Sequence, residues 1–258
     1  MLTSWLSIRG EKVTSIKTTT FFLTLAIASA WATAGQAALI NVYSNNFDGS
    51  ETFGGGATGG LSGSGSTEPI AGLPTPFSGN LLRNSSTTPT TLSLANLPSH
   101  ASVDINFDLV FIDSWDSTDG FGYNTWAYPD YFNVNVDGSN VLQTTCNNTS
   151  GTVCYSGTQI GTAHTNYGWD ANYVENAFDL GSEPLLTMSH TGSTLTIDIF
   201  GSGAGYQGGA DESWGIDNLN VVLRTVGDGQ KVPEPATLGL FGIGLAGLGW
   251  AARKRKTR

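Results

Sequence analysis

In "SVDINFDLVF", Val103, Ile105, Phe107, Leu109 and Phe111 alternate with mostly polar neighbours. A period of two puts all five on one face of a β-strand, because successive side chains point to opposite sides of a sheet. Phe132, Val134 and Val136 repeat the pattern in "YFNVNVDG", ahead of the turn Asp137-Gly138-Ser139-Asn140. Leu195, Ile197 and Ile199 form a third such face, and Leu92, Leu94 and Leu97 lead into the first. Charged residues are scarce and runs of good helix formers are few between the two apolar ends. Half-buried strands separated by polar turns predict an all-β protein, an antiparallel, jelly-roll-like β-sandwich over residues 38–226.

Two stretches refine that prediction. Gly49 to Ser66 holds eight glycines in eighteen residues and reads as a glycine-rich edge strand and loop, with a flexible linker as the alternative. In "DESWGIDNLNVVL", Trp214 and Ile216 share one face, while Leu219, Val221 and Leu223 continue in the opposite phase. A β-bulge at Asp217-Asn218 explains such a slip.

Both ends of the chain are apolar and basic. Lys17 precedes "FFLTLAIASAWA", and Gly35-Gln36-Ala37 offers small residues for cleavage before Ala38, so residues 1–37 read as a signal peptide. Its long leader suggests a true start at Val13. From Ala236 to Ala252 run seventeen uncharged residues, about 25 Å as a helix, at the short limit for a membrane span. Arg253, Lys254, Arg255, Lys256 and Arg258 follow and should remain cytoplasmic. Between the ends, Arg83, Arg224 and Lys231 face nineteen carboxylates, the twenty-one of the chain less Glu11 and Glu234. A body this acidic repels phosphate backbones, which argues against nucleic acid as a partner.

Val232-Pro233-Glu234-Pro235, an apolar stretch and a terminal basic cluster stand in that order over residues 232–258, after a short linker at 227–231. This tail resembles the PEP-CTERM sorting signal of Gram-negative bacteria. The resemblance implies transient inner-membrane anchoring, recognition by an exosortase (a membrane protease or transpeptidase) and cleavage near the PEP motif. It further implies a cell-surface or extracellular-matrix destination and an association with exopolysaccharide and biofilm.

Export makes Cys146 and Cys154 readable as a disulfide across "TTCNNTSGTVCYSG". The stretch "IDSWDSTDGFGYNTWAYPDYF" carries Asp113, Asp116, Asp119 and Asp130, with Trp115, Phe121, Tyr123, Trp126, Tyr128 and Tyr131 among them. Oxygen-rich turns suit calcium, and flat aromatic faces with polar neighbours suit sugars. Trp115, Trp126 and Tyr128 are the candidate glycan-stacking residues. The alternative is that Trp115 and Phe121 join the core while the aspartates hold turns. The spacing is not that of an EF-hand.

"DESWGIDNLNV", "HASVDINFDLVFIDSWD" and "PDYFNVNVDG" resemble strands of bacterial extracellular jelly rolls and, more distantly, MAM-type domains. That resemblance implies one structural calcium shared by carboxylates of the opening and closing strands, by position Asp48 and Asp217, with Glu212 a further candidate. A salt bridge or a turn is the alternative role for these residues.

His100, His164 and His190 stand apart in sequence, and no G-x-S-x-G elbow appears. The expectation is a protein without catalytic residues, an adhesion or glycan-binding module. A purely structural calcium-bound surface protein is the first alternative. A glycan hydrolase using Asp113, Asp116 and Asp130 is the second.

Overall fold

The computed structural model describes residues 37–118, 128–148 and 153–225. The signal peptide up to residue 36, the sorting tail and Trp126 lie outside the described residues. Among those described, no helix is long and apolar enough to cross a membrane.

Among the described residues, fourteen strands form two antiparallel sheets. They are β1 (Leu39–Asn45), β2 (Thr52–Phe53), β3 (Thr58–Gly63), β4 (Ser66–Pro69), β5 (Asn80–Asn84), β6 (Thr90–Ala95) and β7 (Ser102–Asp113). The second half comprises β8 (Tyr131–Val136), β9 (Ser139–Thr144), β10 (Thr158–Thr165), β11 (Glu175–Asp179), β12 (Thr187–Ser189), β13 (Thr194–Ser202) and β14 (Glu212–Arg224). The larger sheet runs β10-β11-β7-β14-β1-β2, with β12 also on β7 and the β4–β5 pair on β14; the smaller runs β3-β6-β13-β8-β9.

The alternating faces meet where the sequence places them. Val103 to Phe111 of β7 pack against Phe132, Val134 and Val136 of β8, Leu195, Ile197 and Ile199 of β13, and Leu92 and Leu94 of β6 in one core. The opposite face of β7 also buries residues. Val110 and Ile112 lie under Leu73, Phe77, Leu81 and Ile160, a second apolar cluster on the outer side of the larger sheet. Removing both faces of β7 from water makes it the central strand of the fold.

In β14 the phase slip is a bulge. Asp217 pairs with Asp108 and Asn220 with Asn106, so three steps on β14 oppose two on β7. Asn218 takes φ 54°, a left-handed conformation that asparagine tolerates better than most residues. The bulge keeps Trp214, Ile216, Leu219, Val221 and Leu223 all in the core. It also marks where the free edge of β14 changes partner, from β5 at Trp214–Ile216 to β1 at Leu219–Arg224.

The glycine-rich stretch supplies β2 and β3, terminal strands of the two sheets. Gly59 shows why glycine is used: a Cβ there would lie 1.9 Å from the Ser93 carbonyl oxygen on the paired strand β6. Cys146 and Cys154 are disulfide-bonded. The loop they close presents Asn148, whose Nδ2 donates to the carbonyls of Phe111 (3.0 Å) and Asp113 (2.9 Å) and so secures the end of β7.

Candidate functional site

Beyond Asp113 the chain leaves β7 and folds Trp115 inward. Its ring is 0% exposed, packs edge-on against Phe111 and Tyr206, and donates Nε1–H to the Ser213 carbonyl at 2.6 Å. A ring with no open face cannot stack on a sugar, so Trp115 is corrected from ligand contact to core anchor. The indole is large, and its one polar group is satisfied by backbone, which makes the interior its stable place. Tyr128 differs, at 57% exposed.

Around these residues four carboxylates gather. Asp116 and Asp130 close the base of the intervening stretch: Asp116 N–H donates to Asp130 Oδ2 at 2.8 Å, and Asp130 N–H donates to the Asp116 carbonyl at 2.9 Å. Glu212, the first residue of β14, accepts the Gln207 and Gly208 amides on Oε2, at 2.5 and 3.0 Å. Asp211 accepts the Ser114 hydroxyl at 2.6 Å. The Gly203–Gly205 turn lies against Tyr128–Asp130 so closely that a Cβ on Gly205 would meet the Tyr128 carbonyl at 2.2 Å.

Burial pushes Asp130 up to about 7, reinforced by the charges of Glu212, Asp116 and Asp211. Burial likewise raises Glu212 to about 7 and raises Asp116, with Asp211 adding to both. The Tyr206 phenol is raised by burial and by Glu212 and Asp130. Two buried polar atoms here have no hydrogen-bond partner, Asp130 Oδ1 and Tyr206 Oη. Leaving such an atom unsatisfied costs about 1–3 kcal/mol, and more when it is charged. Among the described residues, none of the four carboxylates pairs with Lys, Arg or His.

Asp113 belongs to a different group. Arg83 spans Asp113 Oδ2 (2.8 Å), Glu68 Oε1 (3.3 Å) and the Ser213 hydroxyl (2.7 Å), and Trp169 Nε1 also donates to Glu68 at 2.7 Å. Glu175 accepts the Tyr167 amide, yet Glu175 Oε1 and Asp113 Oδ1 are buried without partners. Burial raises Asp113 to about 6 against the pull of Arg83, and raises Glu175 to about 7 with help from Asp113. The three aspartates considered for hydrolysis therefore divide, with Asp116 and Asp130 together and Asp113 apart.

Asp48 and Asp217 are brought together at the bulge, where they clasp one turn. Asp217 Oδ2 accepts the Ser78 amide at 3.1 Å and Asp48 Oδ1 the Asn80 amide at 2.7 Å. Burial raises Asp217 to about 6, followed by the charges of Asp108 and Asp48. Asp179, Asp108 and Asp217 lie directly opposite one another across β11, β7 and β14. Asp108, Asp179 and Asn218 line a cleft of about 360 Å³ beside Pro76 and Phe107. Asn218 Nδ2 donates to Asp108 Oδ2 at 2.7 Å, offsetting part of the repulsion.

Glu212 is not part of this group. It sits five residues before Asp217 on the same strand, about 16 Å away, too far to share an ion. The set Asp48, Glu212, Asp217 therefore does not fit one calcium. Among the described residues, no three His, Cys, Asp or Glu side chains stand as a metal-binding group.

Sequence reasoning missed Arg83, Glu175 and a histidine pair. His100 and His190 do not stand apart in the fold: His100 Nε2 and His190 Nδ1 are 2.6 Å apart, and His190 Nε2 reaches Asp137 Oδ2 at 3.2 Å. Ninety residues separate the two, and no local pattern links them.

A family model for the PEP-CTERM protein-sorting motif matches residues 231–256. The motif defines an exported, exosortase-sorted protein with a surface or extracellular destination. No curated protein matches the chain. Among solved structures, a chain of the T=1 particles derived from infectious bursal virus is 14% identical with a TM-score of 0.24, covering 67% of this chain and 33% of that one. The infectious bursal disease virus VP2 subviral particle gives 14% identity and a TM-score of 0.23, over 69% of this chain and 35% of that one. The chain thus spans about a third of the length of these viral chains.

Proposed function

We propose that the sandwich is a non-catalytic adhesion module that works on or within the extracellular polysaccharide matrix of a Gram-negative bacterium. The apolar stretch of the sorting tail holds the precursor in the inner membrane until the exosortase acts. The observation that carries the reading is Tyr128, an exposed aromatic ring on backbone fixed from two sides. The Asp116–Asp130 pair closes one side and the Gly203–Gly205 turn presses on the other. A tyrosine held this way offers a flat apolar face to a sugar ring and a hydroxyl to its rim, with little ordering entropy left to lose on binding. Single contacts of this kind are weak, and display of many copies on one surface multiplies them. Burial of Asp113 and Asp130 supports a non-catalytic role, since a catalytic carboxylate must touch its substrate.

The test is retention of the processed protein on exopolysaccharide from the producing cell, wild type against Tyr128→Ala. Adhesion through this ring requires the variant to be retained at least several-fold less. Equal retention removes Tyr128 from the contact.

A further inference from the structure

We infer that His100, His190 and Asp137 form a latch between the sheets that holds one positive charge and opens in acid. The two imidazoles come from connections that cross from one sheet to the other: His100 lies between β6 and β7, and His190 between β12 and β13. Asp137 stands in the β8–β9 turn of the smaller sheet. Backbone bonds fix the last two. His190 N–H donates to the Ala101 carbonyl at 3.1 Å, Asp137 N–H donates to the Thr196 carbonyl at 2.9 Å, and the Thr196 amide donates to Asp137 Oδ1 at 2.9 Å. The latch thus joins two crossings to a hairpin, at the other end of β8 from Tyr128.

The acceptors of the array fix its hydrogens. The Pro98 carbonyl can only accept, so His100 Nδ1, 2.6 Å away, carries hydrogen. Only one hydrogen fits between His100 Nε2 and His190 Nδ1, 2.6 Å apart with the ring planes 18° from parallel. His190 Nε2 donates to Asp137 Oδ2 at 3.2 Å, because a carboxylate accepts. Three hydrogens on two rings make one positive charge, which Asp137 neutralises. A fourth would set two N–H groups against each other across the 2.6 Å contact, at a His100 that is only 4% exposed. Arg224, whose carbonyl accepts the Ala101 amide beside His100, is paired with Asp104 at 2.6 Å. Among the described residues, Asp137 is the charged group bonded to the rings. Imidazoles charge between about pH 5 and 8. As pH falls, the unfolded chain takes two protons on these rings and the latch takes one. The unfolded state then binds more protons, so the fold loses stability toward acid. This inference stands apart from adhesion, since it is read without polysaccharide.

The test is denaturant unfolding of the processed protein between about pH 7 and 5, wild type against His190→Gln. The buried carboxylates titrate in both proteins, Glu175 and Asp130 included, and drop out of the difference. One proton of difference shifts the folding equilibrium by up to about tenfold per pH unit. The stability advantage of the wild type should therefore shrink at least several-fold in equilibrium constant toward acid. An advantage that stays constant, or grows toward acid, overturns the proposal. If His190→Gln fails to fold, nitrogen-15 spectra of the wild-type imidazoles decide. Three N–H groups on His100 and His190 in the folded protein, with a fourth only on unfolding, support the latch, and two or four in the folded protein overturn it.

Discussion

Glu212 and Asp217 lie five residues apart on β14, and that separation divides the buried acids of the strand between its start and its bulge. Glu212 begins the strand beside Asp130, while Asp217 sits at the bulge opposite Asp108. One place gathers four carboxylates that have no Lys, Arg or His partner among the described residues, together with the exposed Tyr128. The other uses its acids to clasp the Ser78–Asn80 turn.

The bulge gives the first prediction. Asn218 combines a left-handed backbone with a bond to Asp108. Asn218→Ala should destabilise by about 1–3 kcal/mol in denaturant unfolding. Asn218→Gly should cost less, because glycine accepts the backbone and loses only the bond. Asn218→Val should cost most. Equal losses for all three would show that the φ angle contributes nothing.

Trp115 separates core from ligand contact. Trp115→Ala should lower stability by about 3–5 kcal/mol. Trp115→Phe keeps most of the packing but leaves the Ser213 carbonyl without its donor. Measured below its melting temperature, Trp115→Phe should be retained on polysaccharide as well as the wild type.

Glu175 predicts a pH dependence. Its unfolded value lies near 4.5 and its folded value near 7, so the folded state holds an extra proton between them. Stability from this group is full below about 4.5 and is lost as pH rises to about 7. Asp113, raised to about 6, acts in the same direction. Glu175→Gln should therefore raise the melting temperature at pH 8 by a few degrees and change it little at pH 4. A larger gain at the acid end would reverse the assignment.

The Cys146–Cys154 bond closes a short loop that carries Asn148 to the end of β7. Replacing both cysteines by serine should cost about 2–3 kcal/mol. In a thermal melt that is on the order of 5–10 °C for a domain of this size.

The fold was legible because its strands follow a period of two and the bulge of β14 shows as a phase slip at Asp217-Asn218. The site was legible in part. The density of acids and aromatics between Asp113 and Tyr131 drew attention to the segment between β7 and β8, but not to which rings turn inward. Trp115 alternates with nothing, and only the Ser213 carbonyl, 98 residues later, decides its direction. The separation of Glu212 from Asp217 could be counted in the sequence, and the resemblance to jelly-roll strands obscured it. Arg83, Glu175 and the His100–His190 pair come together through sheet pairing and loop packing that no local pattern announces.

The most direct measurement is retention of the processed wild-type protein on exopolysaccharide purified from the producing cell, in calcium and in chelator. Adhesion predicts saturable retention in calcium that falls several-fold in Tyr128→Ala. No retention in either condition would contradict it and leave a structural sandwich delivered to the surface by its tail.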